Sequence, residues 1–214
     1  MSIPIKNFPD ISNKIVVRFI EEVAAHLKYY DGKLIFLNSK RIGDLKSVGE
    51  FDNDGNRPII KIAIKHGESE IISTLAHEYA HFHQYEEEAG CWKKFESAAL
   101  DISDIFNAKI NILERQKYAN IVISVELDCE KRAIGIINQY HLPIRIDEYI
   151  KKANLGLFKW AFARKWGAWV KTTDDQYNKL VKMCPDTLLK SYKVIPPEIE
   201  IEFIKLSPIS ESLD

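Results

Sequence analysis

Apolar residues Ile15, Val16, Phe19, Ile20, Val23 and Leu27 recur at intervals of three and four, which predicts an opening helix over residues 11–29 that stops at Asp31-Gly32. The period then changes. Leu34-Ile35-Phe36-Leu37 reads as a short strand, and residues 47–65 read as a hairpin turning through Asp52-Asn53-Asp54-Gly55-Asn56. In its second arm Ile60, Ile62 and Ile64 alternate with Lys61, Ala63 and Lys65, the alternation of a half-buried strand. Helical spacing returns with Ile71, Ile72, Leu75 and Tyr79. Glu68 and Glu70 suit the start of that helix, Glu86-Glu87-Glu88 reads as its solvated end, and Gly90 is the residue expected just beyond it.

Two more helices are expected over residues 95–117 and 118–140, the first carrying Ile102, Ile105, Phe106, Ile110 and Leu113, with Pro143 as the stop. A short helix over 146–154, another over 157–171 and a third over 174–183 follow. The tail from Val194-Ile195-Pro196-Pro197 to Phe203 reads as extended, and the last residues as frayed. This order predicts an α+β fold, mostly helical, with a small sheet. A core over residues 1–142 would carry a helical C-terminal extension over 143–214, packed on it as one compact unit. A chain of 214 residues has room for one good core and little more.

Composition narrows the function. Thirty Lys and Arg against 31 Asp and Glu leave a net charge of -1, so nothing global draws the chain to nucleic acid or to an acidic membrane. Met1-Ser2-Ile3-Pro4-Ile5-Lys6 lacks the pattern of a secretory leader, and no apolar run approaches the roughly 18 residues of a membrane span. Cys91, Cys129 and Cys184 are odd in number and lack C-x-x-C spacing, which argues against a disulfide framework and against a thiolate zinc cage. A soluble protein of the reducing cytoplasm is expected, with no membrane partner.

The chemistry lies in Leu75-Ala76-His77-Glu78-Tyr79-Ala80-His81-Phe82-His83-Gln84, which holds H-E-x-x-H within a predicted helix. Two histidines four residues apart share one helix face and can bind one ion, and Glu78 is placed to polarise a water on it. A catalytic zinc takes three protein ligands, so a further donor is required. Glu126, Asp128 and Glu130 in Val125-Glu126-Leu127-Asp128-Cys129-Glu130 are the candidates, with His83 and His141 as outsiders. His83, two residues past His81, turns to the other side of the helix. Cys129 reads as a small buried thiol, and without the upstream motif Glu126 would read as part of a charged helix face paired to a lysine.

Taken together, H-E-x-x-H and the downstream E-x-x-x-E resemble the gluzincin-type zinc metallopeptidases, in particular the small soluble ImmA/IrrE-like group and related phage and bacterial metallopeptidase-like proteins. The resemblance covers two short segments. It implies a zincin-like minimal metallopeptidase fold, Zn2+ as cofactor, and a protein or peptide substrate. It also implies His77, His81 and Glu126 as metal ligands, Glu78 as general base, and Glu130 bracing a ligand histidine, with Glu130 as the alternative third ligand. In that family an edge strand receives the substrate, a part that falls here to residues 59–65. The G-x-x-H extension of metzincins is missing. Tyr79, Tyr118, Tyr140 and His141 are the weak candidates for a transition-state donor.

Residues 151–171 combine Lys151, Lys152, Lys159, Arg164, Lys165 and Lys171 with Phe158, Trp160, Phe162, Trp166 and Trp169. Basic and aromatic groups together suit nucleic acid. However, Phe158, Phe162, Trp166 and Trp169 fall on one helical stripe, which favours packing and leaves nucleic acid the less favoured partner. The leading expectation is a zinc-dependent protease. The alternative is a catalytically silent, zincin-like binding or regulatory protein, with nucleic-acid-associated partners as one version of it.

Overall fold

A computed structural model of the chain describes residues 11–43, 47–53, 57–98 and 111–207. It is α+β and mostly helical: α1 Lys14–Tyr29, β1 Lys33–Leu37, β2 Gly49–Asp52, β3 Ile59–Ala63, α2 Glu68–Glu86, α3 Gly90–Ser97, α4 Ile112–Gln139, α5 Ile146–Trp166, α6 Asp174–Met183 and α7 Pro197–Lys205. Two compact units share α4. The first comprises Met1–Glu87 and Cys129–Ile144, the second Glu88–Asp128 and Arg145–Asp214.

In the first unit α1 forms where its apolar stripe predicts. The Asn13 side chain caps its N-terminus by accepting from the Ile15 N–H at 3.0 Å. Val16, Phe19, Ile20, Val23 and Leu27 are wholly buried, each contributing roughly 1.5–3 kcal/mol of transfer free energy, far above any helix propensity. At the exit the left-handed residue is Asp31 (φ 57°). Gly32 serves a different need, since a Cβ there would lie 2.3 Å from the Pro58 carbonyl oxygen.

The sheet is three-stranded in the order β1-β3-β2, with β1 parallel and β2 antiparallel to β3. The hairpin forms as predicted, though residues 54–56 of its turn lie outside the described residues. Phe36, Ile60 and Ile62 are buried in register, Phe36 opposite Ile62. α1 packs on β1, and α2 on β2 and β3. Strand β3 is central, so the expectation that residues 59–65 offer a free edge is overturned: both of its sides are paired.

α2 ends earlier than the glycine signal suggests. Glu87 caps it, Glu88 takes the left-handed turn (φ 50°), and Gly90 opens α3.

In the second unit the predicted break at 117/118 is absent and α4 runs through it. Ile102, Ile105, Phe106 and Ile110 lie outside the described residues. The predicted helices 146–154 and 157–171 are one helix, α5, which continues through the exposed Gly156 and ends at Gly167 (φ 68°). Glycine costs a helix about 1 kcal/mol, and the burial of Leu155, Leu157, Phe158 and Phe162 around it outweighs that. α6 begins with a capping box between Thr173 and Gln176. The tail read as extended is α7 instead. Pro197 occupies its first turn, where no N–H is needed, and Ile199 and Phe203, four apart, are buried in the unit's core. The residues expected to fray, 208–214, lie outside the described residues.

Candidate metal centre

One turn of α2 sets His77 and His81 side by side, their rings 4.8 Å apart and nearly perpendicular. His81 is buried, and its Nδ1 lies 2.8 Å from Oε1 of the wholly buried Gln84 one turn on. An amide oxygen can only accept, so Nδ1 carries the proton and Nε2 keeps its lone pair for a metal. The signal for Gln84 was present in the sequence as a polar residue three positions after a ligand histidine.

His77 is held from α4. Its Nδ1 lies 3.3 Å from Oε1 of Glu130 and 3.6 Å from Sγ of Cys129, and that thiol donates to the His77 carbonyl at 3.3 Å. Burial by itself would drive the His77 imidazole's pKa down, but its electrostatic and hydrogen-bonding contacts with Cys129 and Glu130 hold it well above the ordinary histidine value. The surroundings of this ring therefore favour positive charge.

Glu78 is 7% exposed and lies against β2. A Cβ on Gly49 would stand 2.6 Å from Glu78 Oε1 and 2.4 Å from Thr74 Cγ2. Glycine is the residue that lets the strand pass this close to the carboxylate. The outer strand beside Glu78 is thus β2 and not β3.

One donor atom each from His77, His81 and Cys129 lie within 4.8 Å of one another. Two imidazoles and a thiol suit a borderline-soft divalent ion such as zinc, and the fixed tautomer of His81 fits the same purpose. No family model, curated protein or solved structure gives a significant match to this chain. The site must therefore be argued from its own geometry. Of the residues singled out in the sequence, His77, Glu78, His81 and Glu130 belong to the first unit, while Glu126 stands one turn before Glu130 on α4. Cys129, which reads in the sequence as a small buried thiol packed in its helix, is buried and also reaches His77 Nδ1.

The remaining candidates are engaged elsewhere. The Tyr79 hydroxyl is 2.7 Å from His26 Nδ1, and the Tyr140 hydroxyl is hydrogen-bonded to Glu22. His141 is exposed in a left-handed turn after α4. Tyr118 packs beside Val122 and Ala163 in the second unit. Glu86, expected in a solvated helix end, instead accepts from the Tyr30 hydroxyl at 2.5 Å and lies 3.0 Å from His26 Nε2.

In the aromatic basic segment Phe158 and Phe162 are wholly buried. Arg164 donates to Asn120 Oδ1 and to the carbonyls of Tyr192 and Lys193, each at 2.9 Å. Lys165 and the Trp166 indole N–H both reach Glu200. These cations are used within the unit, which is what the packing reading expects.

Proposed function

We propose that the chain is a zinc-dependent metalloprotease with a zincin-like core, similar to the gluzincin group. The observation that carries the reading is the pairing of the partly buried His77 with the buried His81, beside a buried Glu78 that lies against an outer strand. His77 and His81 would hold the metal through Nε2, with Gln84 and Glu130 orienting the two rings through Nδ1. Glu126 is the third ligand by the E-x-x-x-E resemblance. Bound zinc would polarise the scissile carbonyl and bring the pKa of water towards ~7.

Glu78 then takes the proton of the attacking water and passes it to the leaving amine. Its burial against Gly49 keeps the carboxylate away from bulk solvent and fixes its direction. An extended substrate would add to β2, whose Gly49 borders the same carboxylate. None of the three cysteines forms a disulfide, and among the described residues no helix is long and apolar enough to cross a membrane. A cytoplasmic protein acting on peptide or protein is consistent with both.

A specific observation favours a second reading. The Tyr79 and Tyr140 hydroxyls, candidates for the transition-state donor, are bonded to His26 and Glu22. A silent metal-binding protein would need no such donor. The variant Glu78→Gln separates the readings. It should keep its zinc while losing peptide hydrolysis by on the order of 100- to 10,000-fold, read as fragments from a proteome-derived peptide library. Wild-type zinc binding with no fragment dependent on Glu78 would leave the silent protein standing.

A further inference from the structure

The other side of α2 carries a second set of metal-binding groups. His83 and Glu86 project there from the last turns of the helix, and His26 meets them from α1. One donor atom each from His26, His83 and Glu86 lie within 4.8 Å of one another. The His26 and His83 rings are 5.8 Å apart at 84°, and His83 sits edge-on to Tyr79 at 4.4 Å. All of these residues belong to the first unit.

Two features distinguish this cluster from an ordinary polar patch. The first is His83 Nε2, which is buried from solvent and has no hydrogen-bond partner. A buried ring nitrogen without a partner forfeits its hydration and gains nothing in return. The second is the support around the other two groups. Nδ1 of His26 lies 2.7 Å from the Tyr79 hydroxyl, and Oε1 of Glu86 accepts from Tyr30 at 2.5 Å. The Glu86 carboxylate 3.0 Å from Nε2 of His26 can only accept, so without an ion Nε2 carries the proton and Nδ1 accepts from the Tyr79 hydroxyl; a metal would replace the Nε2 proton, and the same hydroxyl can then accept from Nδ1–H. The nearby cation Arg132 is paired with Glu87 at 2.7 Å.

We propose that His26, His83 and Glu86 form a second metal site, for a divalent transition ion of the zinc class, that fastens α1 to the end of α2. Two imidazoles and one carboxylate are a set that suits zinc and its neighbours and not calcium or magnesium. Zinc–ligand bonds of about 2.1 Å require donors about 3.4 Å apart; His26 Nε2 and Glu86 Oε1, 3.0 Å apart, are already near that spacing, and the His83 donor lies within 4.8 Å of both. The ion satisfies the orphaned His83 nitrogen, the Tyr79 hydroxyl keeps the His26 ring in place through Nδ1, and the Tyr30 hydroxyl holds the direction of Glu86. This site is independent of the protease reading, since it uses none of the residues of the first centre.

Zinc and cobalt(II) are the probes. The full chain carrying His77→Ala and His81→Ala, which removes the first centre, should still bind one zinc after equilibrium dialysis. It should also show a ligand-field band with cobalt(II) and melt at a higher temperature with zinc than with a chelator. Adding His83→Gln should abolish all three. Failure of the His77→Ala/His81→Ala chain to bind zinc overturns the proposal, as does binding that His83→Gln leaves unchanged. If that chain does not fold, the wild-type protein decides. Saturating zinc should protect His26 and His83 from diethyl pyrocarbonate, and continued modification of either overturns the site.

Discussion

Helices α2 and α5 both concentrate chemically capable side chains, and they use them in opposite ways. On α2 the polar groups that are buried, Glu78, His81 and Gln84, turn towards other ionisable side chains or towards a strand edge. On α5 the polar groups, from the buried Asn154 to the exposed Lys165, turn to the unit's own backbone and counter-charges. Asn154 donates to the carbonyls of Pro185 and Thr187, Arg164 to those of Tyr192 and Lys193, and Lys165 to Glu200. Donors directed at main-chain carbonyls fix the path of the chain, whereas imidazoles directed at a carboxylate and a thiol retain ring nitrogens that can bind something else. Residue type does not separate the two helices; the identity of the partners does.

The largest expected effect tests the structural side of that contrast. Asn154 is wholly buried, and it also accepts from the Tyr192 hydroxyl while its amide holds Pro185 and Thr187 at 2.8 and 3.0 Å. Replacing it by Leu strands two carbonyls and a hydroxyl and should cost about 3 kcal/mol in urea unfolding, with zinc binding unaltered. If Asn154→Leu unfolds like wild type, the amide is not the fastener described.

On α2 the matching change is Gln84→Leu. It keeps the side chain's volume but removes the acceptor on His81 Nδ1. Loss of such a partner typically weakens metal affinity 10- to 100-fold, equivalent to roughly 1.4–2.7 kcal/mol, and the stranded His81 Nδ1–H should also cost the metal-free protein about 1–3 kcal/mol. Competition with a chromogenic chelator measures the affinity. An unchanged affinity would mean that His81 is oriented by packing alone.

What the sequence discloses and what it hides follow from the same distinction. Periodicity located α1, α2 and α6 because burial of a helical stripe is local. H-E-x-x-H was legible because helix geometry alone places the two rings together. Strand order was not: β3 carries the clear alternation, yet its central place depends on pairing with both β1 and β2, a non-local choice. The tail from Val194-Ile195-Pro196-Pro197 to Phe203 reads as extended, whereas proline at a first helical turn starts α7. Gly90 reads as the residue beyond the end of α2, but a left-handed Glu88 ends that turn before it, and tertiary burial carries α5 on through Gly156. Glu86 looked solvated because its partners, His26 and Tyr30, lie far away in sequence.

The smallest expected effect returns to α5. Lys159 is half-buried, its ammonium 3.5 Å from Thr172 Oγ1 and 5.6 Å from the centre of the Tyr177 ring, and burial pulls its pKa down to about 8. The unfolded chain holds this proton up to about 10.4, so folding carries a penalty that is full below pH 8 and disappears as pH rises through 8 to 10.4. Lys159→Met removes the penalty along with a weak cation–π contact. The net gain should be about 1 kcal/mol at pH 7, allowing for partial solvation of the ammonium. The difference between variant and wild type should shrink steadily when unfolding is repeated towards pH 10. A gap that stays constant with pH would show that Lys159 keeps its proton through a route to solvent, making this cation of α5 available to a partner after all.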